Sequence, residues 1–142
     1  DLGASTGYYA SLPCAEYHGI DADPAAVAVA RALALPVECA PITELNVRTL
    51  CGLYRPTTIL LLNVLMWLWE CGQDRPVLDA IRDSGARCFV QWAGLESGGL
   101  VQMPTANEVD EAAYLAQWFQ SATVIRATHL HGGTRRLWRC QA

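Results

Sequence analysis

The sequence contains no lysine, and this absence restricts the partners it can have. Its ten positively charged residues are all arginine and are spread along the chain, and the net charge is −4. A protein that follows a nucleic-acid backbone needs clustered basic residues to neutralise phosphates. Arg135, Arg136 and Arg139 form one small cluster, which on a strand is typical of a solvated edge. Nucleic acid is therefore not favoured as a partner.

Long hydrophobic runs are also lacking. The longest, residues 58–69, reads TILLLNVLMWLW and is interrupted by Asn63. It is shorter than the roughly 20 apolar residues that a membrane-spanning helix needs, so it predicts a core segment. The start of the chain shows no charged region followed by an apolar stretch, as a signal peptide would. We therefore expect a cytoplasmic protein with no membrane contact.

The cysteines do not have the spacing of a metal site. They show no Cys-x-x-Cys pair and no histidine at zinc-finger distance. Several stand in apolar runs, where a free thiol behaves as a small buried hydrophobe. We expect reduced core cysteines and no bound metal. The six positions are Cys14, Cys39, Cys51, Cys71, Cys88 and Cys140.

What the sequence does contain is the composition and pattern of one α/β domain. The 142 residues are 52% hydrophobic and 17% charged, which suits a single domain over residues 1–142 with a real core. Short apolar runs alternate with helical segments, as in βα units on a parallel sheet. Asp23 and Asp74 are predicted to cap helices. Strands are predicted at 16–21, 36–40, 57–63 and 86–94, helices at 24–34, 43–53 and 74–85, and a loop at 96–104. The residues expected to face the core are Leu45, Val47, Leu50 and Leu53 in the second helix, and Val77, Leu78 and Ile81 in the third.

The end of the chain has a different pattern. Thr105 and Glu108 form a capping box ahead of a helix over residues 109–122. The apolar residues available for its inward stripe are Val109, Ala112, Ala113, Leu115, Ala116 and Phe119. Two β-rich runs then flank Gly132 and Gly133, which indicates an antiparallel hairpin. We therefore predict a mostly parallel sheet with helices on both faces and an antiparallel strand at its C-terminal end.

The opening stretch, DLGASTG, places Asp1, Gly3, Ser5 and Gly7 at alternating positions. A second signal follows, because the segment GID ends at Asp21, 14 residues after Gly7, at the end of the next predicted strand. With the C-terminal hairpin, this order resembles the class I S-adenosylmethionine-dependent methyltransferases. That family carries an acidic-x-Gly-x-Gly-x-Gly loop, in which Ser5 here replaces the middle glycine.

The resemblance covers nearly the whole chain and implies a fold and its completion. The family has a Rossmann-like sheet of seven strands, so Asp1 would be the last residue of the first central strand. The body of that strand, and any helix before it, would be missing from this sequence. We expect an upstream segment or a partner chain to complete the sheet.

The resemblance also implies the cofactor, S-adenosylmethionine, and the residues that bind it. The two loop glycines would let the backbone approach its methionine part. Asp21 would accept the ribose hydroxyls, since a carboxylate offers two acceptor oxygens. The side chains of Ala22 and Ile42 would lie against adenine. The full predicted set is Asp1, Gly3, Ser5, Gly7, Asp21, Ala22, Ile42 and Asn63.

The sequence departs from the family after the third family strand. Members often have an acidic residue there for the adenine amino group, whereas this chain reads CAPITEL, with Pro41 near that position. Adenine recognition is then left to a backbone carbonyl, to Thr43 or to Glu44.

Catalysis by this family depends mainly on the alignment of the nucleophile with the methyl carbon and sulfur. A general base helps only where the nucleophile carries a proton. The weak catalytic candidates are Asn63, Trp67 and His131. His129, Tyr8 and Tyr9 are further positions where a base could stand, and none is assigned.

Three functions remain open at this stage. The first is methyl transfer to an oxygen or nitrogen atom of a small molecule. The second is a catalytically inactive methyltransferase-fold subunit that binds a partner. The third is a dinucleotide-binding oxidoreductase, which is disfavoured because the loop is Gly-x-Ser-x-Gly rather than Gly-x-Gly-x-x-Gly.

Overall fold

The computed structural model describes residues 1–14, 16–92, 108–130 and 133–142. In these ranges strands alternate with helices, as the sequence predicts, and a short 3-10 helix, Tyr8–Ser11, follows the opening loop. The elements in chain order are β1 (Gly19–Asp21), α1 (Pro24–Ala32), β2 (Val37–Cys39), α2 (Glu44–Tyr54), β3 (Thr58–Leu62), α3 (Leu65–Glu70), α4 (Asp74–Asp83), β4 (Arg87–Trp92), α5 (Glu108–Leu115), β5 (Ser121–Leu130) and β6 (Gly133–Gln141).

The sheet is mostly parallel. β1 pairs in parallel with β2, and β3 pairs in parallel with β4. β6 runs antiparallel to both β4 and β5, which confirms the C-terminal hairpin. Between β1 and β3, Leu2 forms parallel bridges to Ile20 and to Leu61. The resulting order is β2-β1-Leu2-β3-β4-β6-β5.

The described residues contain six strands, fewer than the seven of the resemblance, in which the first strand was expected to be truncated. The central place in the order is taken by Leu2 alone. Its N–H donates to the carbonyl of Leu60 at 2.9 Å, and the carbonyl of Asp1 accepts from Ile20 at 2.9 Å. The opening loop therefore starts in the middle of the sheet, where the family resemblance places it.

The main core lies between the β3–β4–β6 strands and α4. Ile59 and Leu61 alternate inward along β3 and are buried, because every second residue of a strand faces the same side. The predicted apolar side of α4 is confirmed, since Val77, Leu78 and Ile81 are all fully buried. A smaller cluster joins α1 to β2 and contains Ala4, Val27, Ala30 and Val37.

Two predicted helix starts have different outcomes. Asp23 caps α1 by accepting from the N–H of Ala25 at 2.8 Å, with Pro24 at the first helical position. Asp74 was expected to cap α4, and this is wrong. The cap residue is Gln73, and Asp74 lies within the helix, buried, where it accepts a hydrogen bond from the Tyr114 hydroxyl. A tertiary contact with α5 thus takes the carboxylate that a local cap would use.

The run over residues 58–69 is divided into a strand and a helix rather than forming one segment. Asn63 adopts a left-handed backbone conformation, with φ of 59°, which ends β3 and lets α3 begin two residues later. Asparagine is one of the few non-glycine residues that enter this region readily. The sequence analysis did not anticipate α3.

The predicted inward stripes of α2 and α5 are only partly correct. Val47 is buried, but Leu45 and Leu53 on the same helix are 74% and 68% exposed. On α5, Val109 is 75% exposed, whereas Glu111 is only 1% exposed. The apolar spacing did not identify the buried face, because polar partners on β6 hold a charged residue inside.

The expectation of core cysteines holds for two of the six. Cys88 and Cys140 are buried, Cys51 is intermediate, and Cys14, Cys39 and Cys71 are exposed. Cys39 ends β2, whose described pairing is with β1 alone, so this thiol faces solvent at the sheet edge.

Some predictions fall outside the described residues: the capping residue Thr105, the loop over residues 96–104, Gly132 and His131. Among the described helices, none is both long enough and apolar enough to span a membrane.

Candidate functional site

The carboxyl ends of the parallel strands and the opening loop meet at one edge of the sheet. The loop uses three left-handed residues in alternation, with φ of 80° at Gly3, 50° at Ser5 and 79° at Gly7. Glycine enters this conformation without steric cost, and Ser5 adopts it at the position where the family has its middle glycine. Ser5 thus adopts a backbone conformation that glycine enters more readily.

Protein side chains fill the space beside both loop glycines. A Cβ added at Gly3 would lie 2.2 Å from Cγ2 of Val64, and one at Gly7 would lie 2.9 Å from Cδ1 of Leu35. Both distances are too short for real contacts. The glycines are thus needed where the loop packs against Val64 and Leu35, a reason that the sequence analysis did not include.

Asp21 joins the loop to the end of β1. Its Oδ2 accepts from the backbone N–H of Ser5 at 2.7 Å, and its Oδ1 accepts from the N–H of Asp23 at 2.8 Å. The side chain is half-buried. A carboxylate has about four acceptor positions, so each oxygen retains capacity for one more donor. Asp21 therefore holds the loop and still offers two oxygens at the sheet edge.

The end of β2 and the predicted residue Ile42 also lie near this point. The N–H of Ala40 donates to the carbonyl of Asp21 at 2.9 Å, which brings the end of β2 beside the end of β1. Cδ1 of Ile42 would lie 3.7 Å from a Cβ at Gly3. The structure thus brings Gly3, Asp21, Ile42 and Val64 to the same edge.

Ala22 and Asn63 are both exposed. Ala22 stands between Asp21 and the cap of α1. Asn63 follows the last residue of β3, and its N–H donates to the carbonyl of Gln91 at 3.3 Å. Both residues belong to the loops that leave the carboxyl ends of the strands.

The two side chains considered for adenine already have partners in α2. Oγ1 of Thr43 accepts from the N–H of Asn46 at 3.3 Å as the helix cap. Glu44 forms an ion pair with Arg48 at 2.9 Å. The carbonyl of Pro41 accepts from Nδ2 of Asn46 at 2.8 Å.

Asp1 has a partner that the sequence analysis missed. The hydroxyl of Tyr17 donates to its Oδ2 at 2.7 Å. Burial, with a smaller effect of Cys14, raises the pKa of Tyr17 to about 12, so the hydroxyl stays protonated and remains a donor. The sequence signal that could have indicated this contact is Tyr17 itself, which stands near the start of a predicted strand and had no other assigned role.

The weak catalytic candidates are not gathered at one point. Trp67 is 56% exposed on α3, one helical turn after Val64, to whose carbonyl its N–H donates at 2.9 Å. His131 lies outside the described residues. His129 is exposed, with Nδ1 3.0 Å from Oγ1 of Thr134. Tyr8 and Tyr9 pack edge to face, with ring centroids 5.2 Å apart.

A buried polar group lies in the other half of the sheet, where the sequence analysis predicted none. Oε1 of Glu111 accepts from Nη1 of Arg136 at 2.9 Å, and Oε2 accepts from Nε1 of Trp138 at 2.8 Å. On the same helix, burial and then Asp74 raise the pKa of Tyr114. These contacts tie α5 to β6 and α4.

A cleft of about 410 Å³ lies between α2 and α4, and its lining includes none of the loop residues 1–7. Of its three charged lining residues, Arg48, Arg55 and Asp83, the first and last form an ion pair at 3.0 Å. This cleft is a groove between two packed helices, whereas the convergence of Gly3, Asp21 and Ile42 defines the candidate site.

Several solved structures share this fold, and the three described here are methyltransferases. The bifunctional kinase-methyltransferase WbdD matches with a TM-score of 0.75 and 15% identity over 99% of this chain. The chain has a methyltransferase fold. Magnesium protoporphyrin IX methyltransferase (ChlM) from Synechocystis PCC 6803, solved with bound SAM, gives a TM-score of 0.66 at 16% identity. The N-methyltransferase NodS from Bradyrhizobium japonicum WM9 gives 0.59 at 13%.

This chain covers a different fraction of the length of each of these three proteins. This chain covers 33% of WbdD, 68% of ChlM and 84% of NodS. No protein-family model and no curated protein matches the sequence. At these identities the likeness establishes the fold.

Proposed function

We propose that this methyltransferase-fold chain binds S-adenosylmethionine at the carboxyl edge of its sheet and transfers the methyl group to an oxygen or nitrogen atom of a small-molecule acceptor. The observation that carries the proposal is the Asp21 carboxylate, which is fixed by two backbone N–H groups and retains two acceptor positions. The structure of ChlM with bound SAM supports the choice of cofactor.

The residues present fit this cofactor. Asp21 would accept the ribose hydroxyls, since each of its oxygens has one donor and room for a second. Ala22 and Ile42 would contact the adenine, while Asp1 and the loop at Gly3, Ser5 and Gly7 would face the methionine part. Asn63 would lie near the reacting centre, at the end of β3.

S-adenosylmethionine supplies a methyl group on a positively charged sulfur, open to in-line attack. The chain's own part is to bind, to orient and to exclude water. Packing of Gly3 against Val64 fixes the loop relative to the start of α3. Trp67, one turn further, presents an exposed indole that we propose forms one wall for the acceptor. It orients the acceptor and has no acid–base role.

Calorimetric titration with S-adenosylmethionine, S-adenosylhomocysteine and NAD tests the proposal. We expect both sulfur nucleosides to bind at micromolar concentration and NAD to show no binding. If neither sulfur nucleoside binds to a folded sample below millimolar concentration, the cofactor assignment is overturned. Binding without formation of S-adenosylhomocysteine across a panel of small amines, phenols and carboxylates would favour the alternative of an inactive partner subunit.

A further inference from the structure

Two cysteines face each other across neighbouring strands of the core. Cys88 of β4 and Cys140 of β6 are directly opposite in the antiparallel register. Both have 0% relative exposure. Among the paired positions of the described strands, this is the one that joins two cysteines.

The register places the Cα atoms of Cys88 and Cys140 at a separation that a disulfide can span. Directly opposite residues of an antiparallel pair have Cα atoms about 4.5 or 5.5 Å apart, depending on the type of pair. A disulfide spans Cα separations of about 4.4 to 6.8 Å, so either type is compatible. Cross-strand partners also point to the same face of the sheet. Closing the bond therefore requires no change of register.

We propose that Cys88 and Cys140 are a redox modification site that forms a cross-strand disulfide with a disulfide oxidant such as oxidised glutathione. The proposal does not depend on methyl transfer. The thiolate of Cys88 attacks one glutathione sulfur and releases the first glutathione thiolate. The thiolate of Cys140 then attacks the Cys88 sulfur and releases the second. The two cysteine protons end on the two reduced glutathione molecules.

Burial controls when this reaction occurs. Desolvation raises the pKa of both thiols, to about 12 at Cys140, and the thiolate is the reactive form. Oxidation should therefore be slow while β4 and β6 are paired and fast when β6 opens. Once formed, the bond would fix β6 to the strand that ends at the candidate site, and it would enclose α5 and β5.

The test uses a variant in which the other four cysteines are serine, incubated with oxidised glutathione with and without urea below the unfolding midpoint. Trypsin cleaves after Arg87 and Arg139, so unreduced mass spectrometry should find the peptide beginning at Cys88 linked to Cys140–Ala142. We expect faster linkage in urea and a rise in Tm of about 10 °C in the oxidised form. Cys140→Ala in the same background should give only a glutathione adduct.

If the four-serine variant does not fold, the natural chain serves instead. Its exposed thiols are first alkylated in the folded state, and the same linked peptide is sought after oxidation. Two free thiols after oxidation in urea, linkage to another cysteine, or a lower Tm in the linked form would each overturn the proposal.

Discussion

Replacing Asp21 separates ligand binding from the fold, because its carboxylate serves both. Asp21→Ala removes the acceptors for the N–H groups of Ser5 and Asp23. A hydrogen bond to a charged group contributes about 1.5 to 3 kcal/mol, and partial exposure places each of these near the lower limit. We expect a loss of about 2 to 3 kcal/mol in the free energy of unfolding.

The same change should also weaken binding of S-adenosylmethionine. Losing two charge-assisted bonds to the ribose hydroxyls should lower affinity at least about tenfold, since about 1.4 kcal/mol corresponds to a factor of ten. Asp21→Asn keeps one acceptor oxygen and should fall between Ala and the natural residue in both measurements. Urea unfolding followed by circular dichroism gives stability, and calorimetry gives affinity.

Glu38→Ala is the matched control, because Glu38 is an exposed carboxylate on β2 with one long contact, 3.5 Å from the Tyr54 hydroxyl. It should change neither quantity by more than about 0.5 kcal/mol. If Asp21→Ala lowers stability but leaves affinity unchanged, the carboxylate serves only to fix the loop. If it changes neither, the hydrogen bonds at Ser5 and Asp23 are not formed as described.

Three further changes test the packing and electrostatics of the fold. Glu111→Ala should cost about 3 kcal/mol in urea unfolding, since it leaves the partly buried Arg136 and the buried indole N–H of Trp138 without this acceptor. Glu44→Ala at an exposed pair should cost under about 1 kcal/mol, and equal losses would contradict the role of burial. Gly3→Ala should lower the free energy of unfolding by about 2 to 4 kcal/mol, through backbone strain and overlap with a neighbouring side chain. Gly52 has open space around it, so Gly52→Ala should stabilise α2 by about 0.5 to 1 kcal/mol. A Gly3→Ala variant of unchanged stability would refute the tight loop packing. The pKa of Tyr17 is raised to about 12, so the contribution of Tyr17 to stability should be unchanged below about pH 10. It should be lost between about pH 10 and 12, because Tyr17 ionises in the unfolded chain before it ionises in the folded one. Across that range the measured Tm should fall less for Tyr17→Phe than for the natural chain, and identical profiles would count against the raised pKa.

The sequence by itself determined the fold class and most element types. Alternation of apolar runs with helical segments predicted the βα units, since the periodicity of burial differs between strands and helices. Short sequence motifs predicted the structure correctly where the interacting residues are close together in the chain. Asp23 and Pro24 start α1 because a cap needs only its own next turn, and Gly133 begins β6, which runs antiparallel to β5. The family resemblance predicted a shared role for the loop and Asp21, and the structure joins them through the hydrogen bond from the N–H of Ser5.

The tertiary structure alone decided what each polar group contacts. Asp74 reads as a helix cap but bonds to Tyr114, 40 residues away, and Glu111 reads as surface but is buried by Arg136. Neither partner could be read from spacing, because burial depends on which elements pack together. The same holds for Gly3, where the side chain of Val64 leaves no space for a Cβ atom. Long-range contact decides these roles, since the energy of a buried polar group depends on the partner it meets.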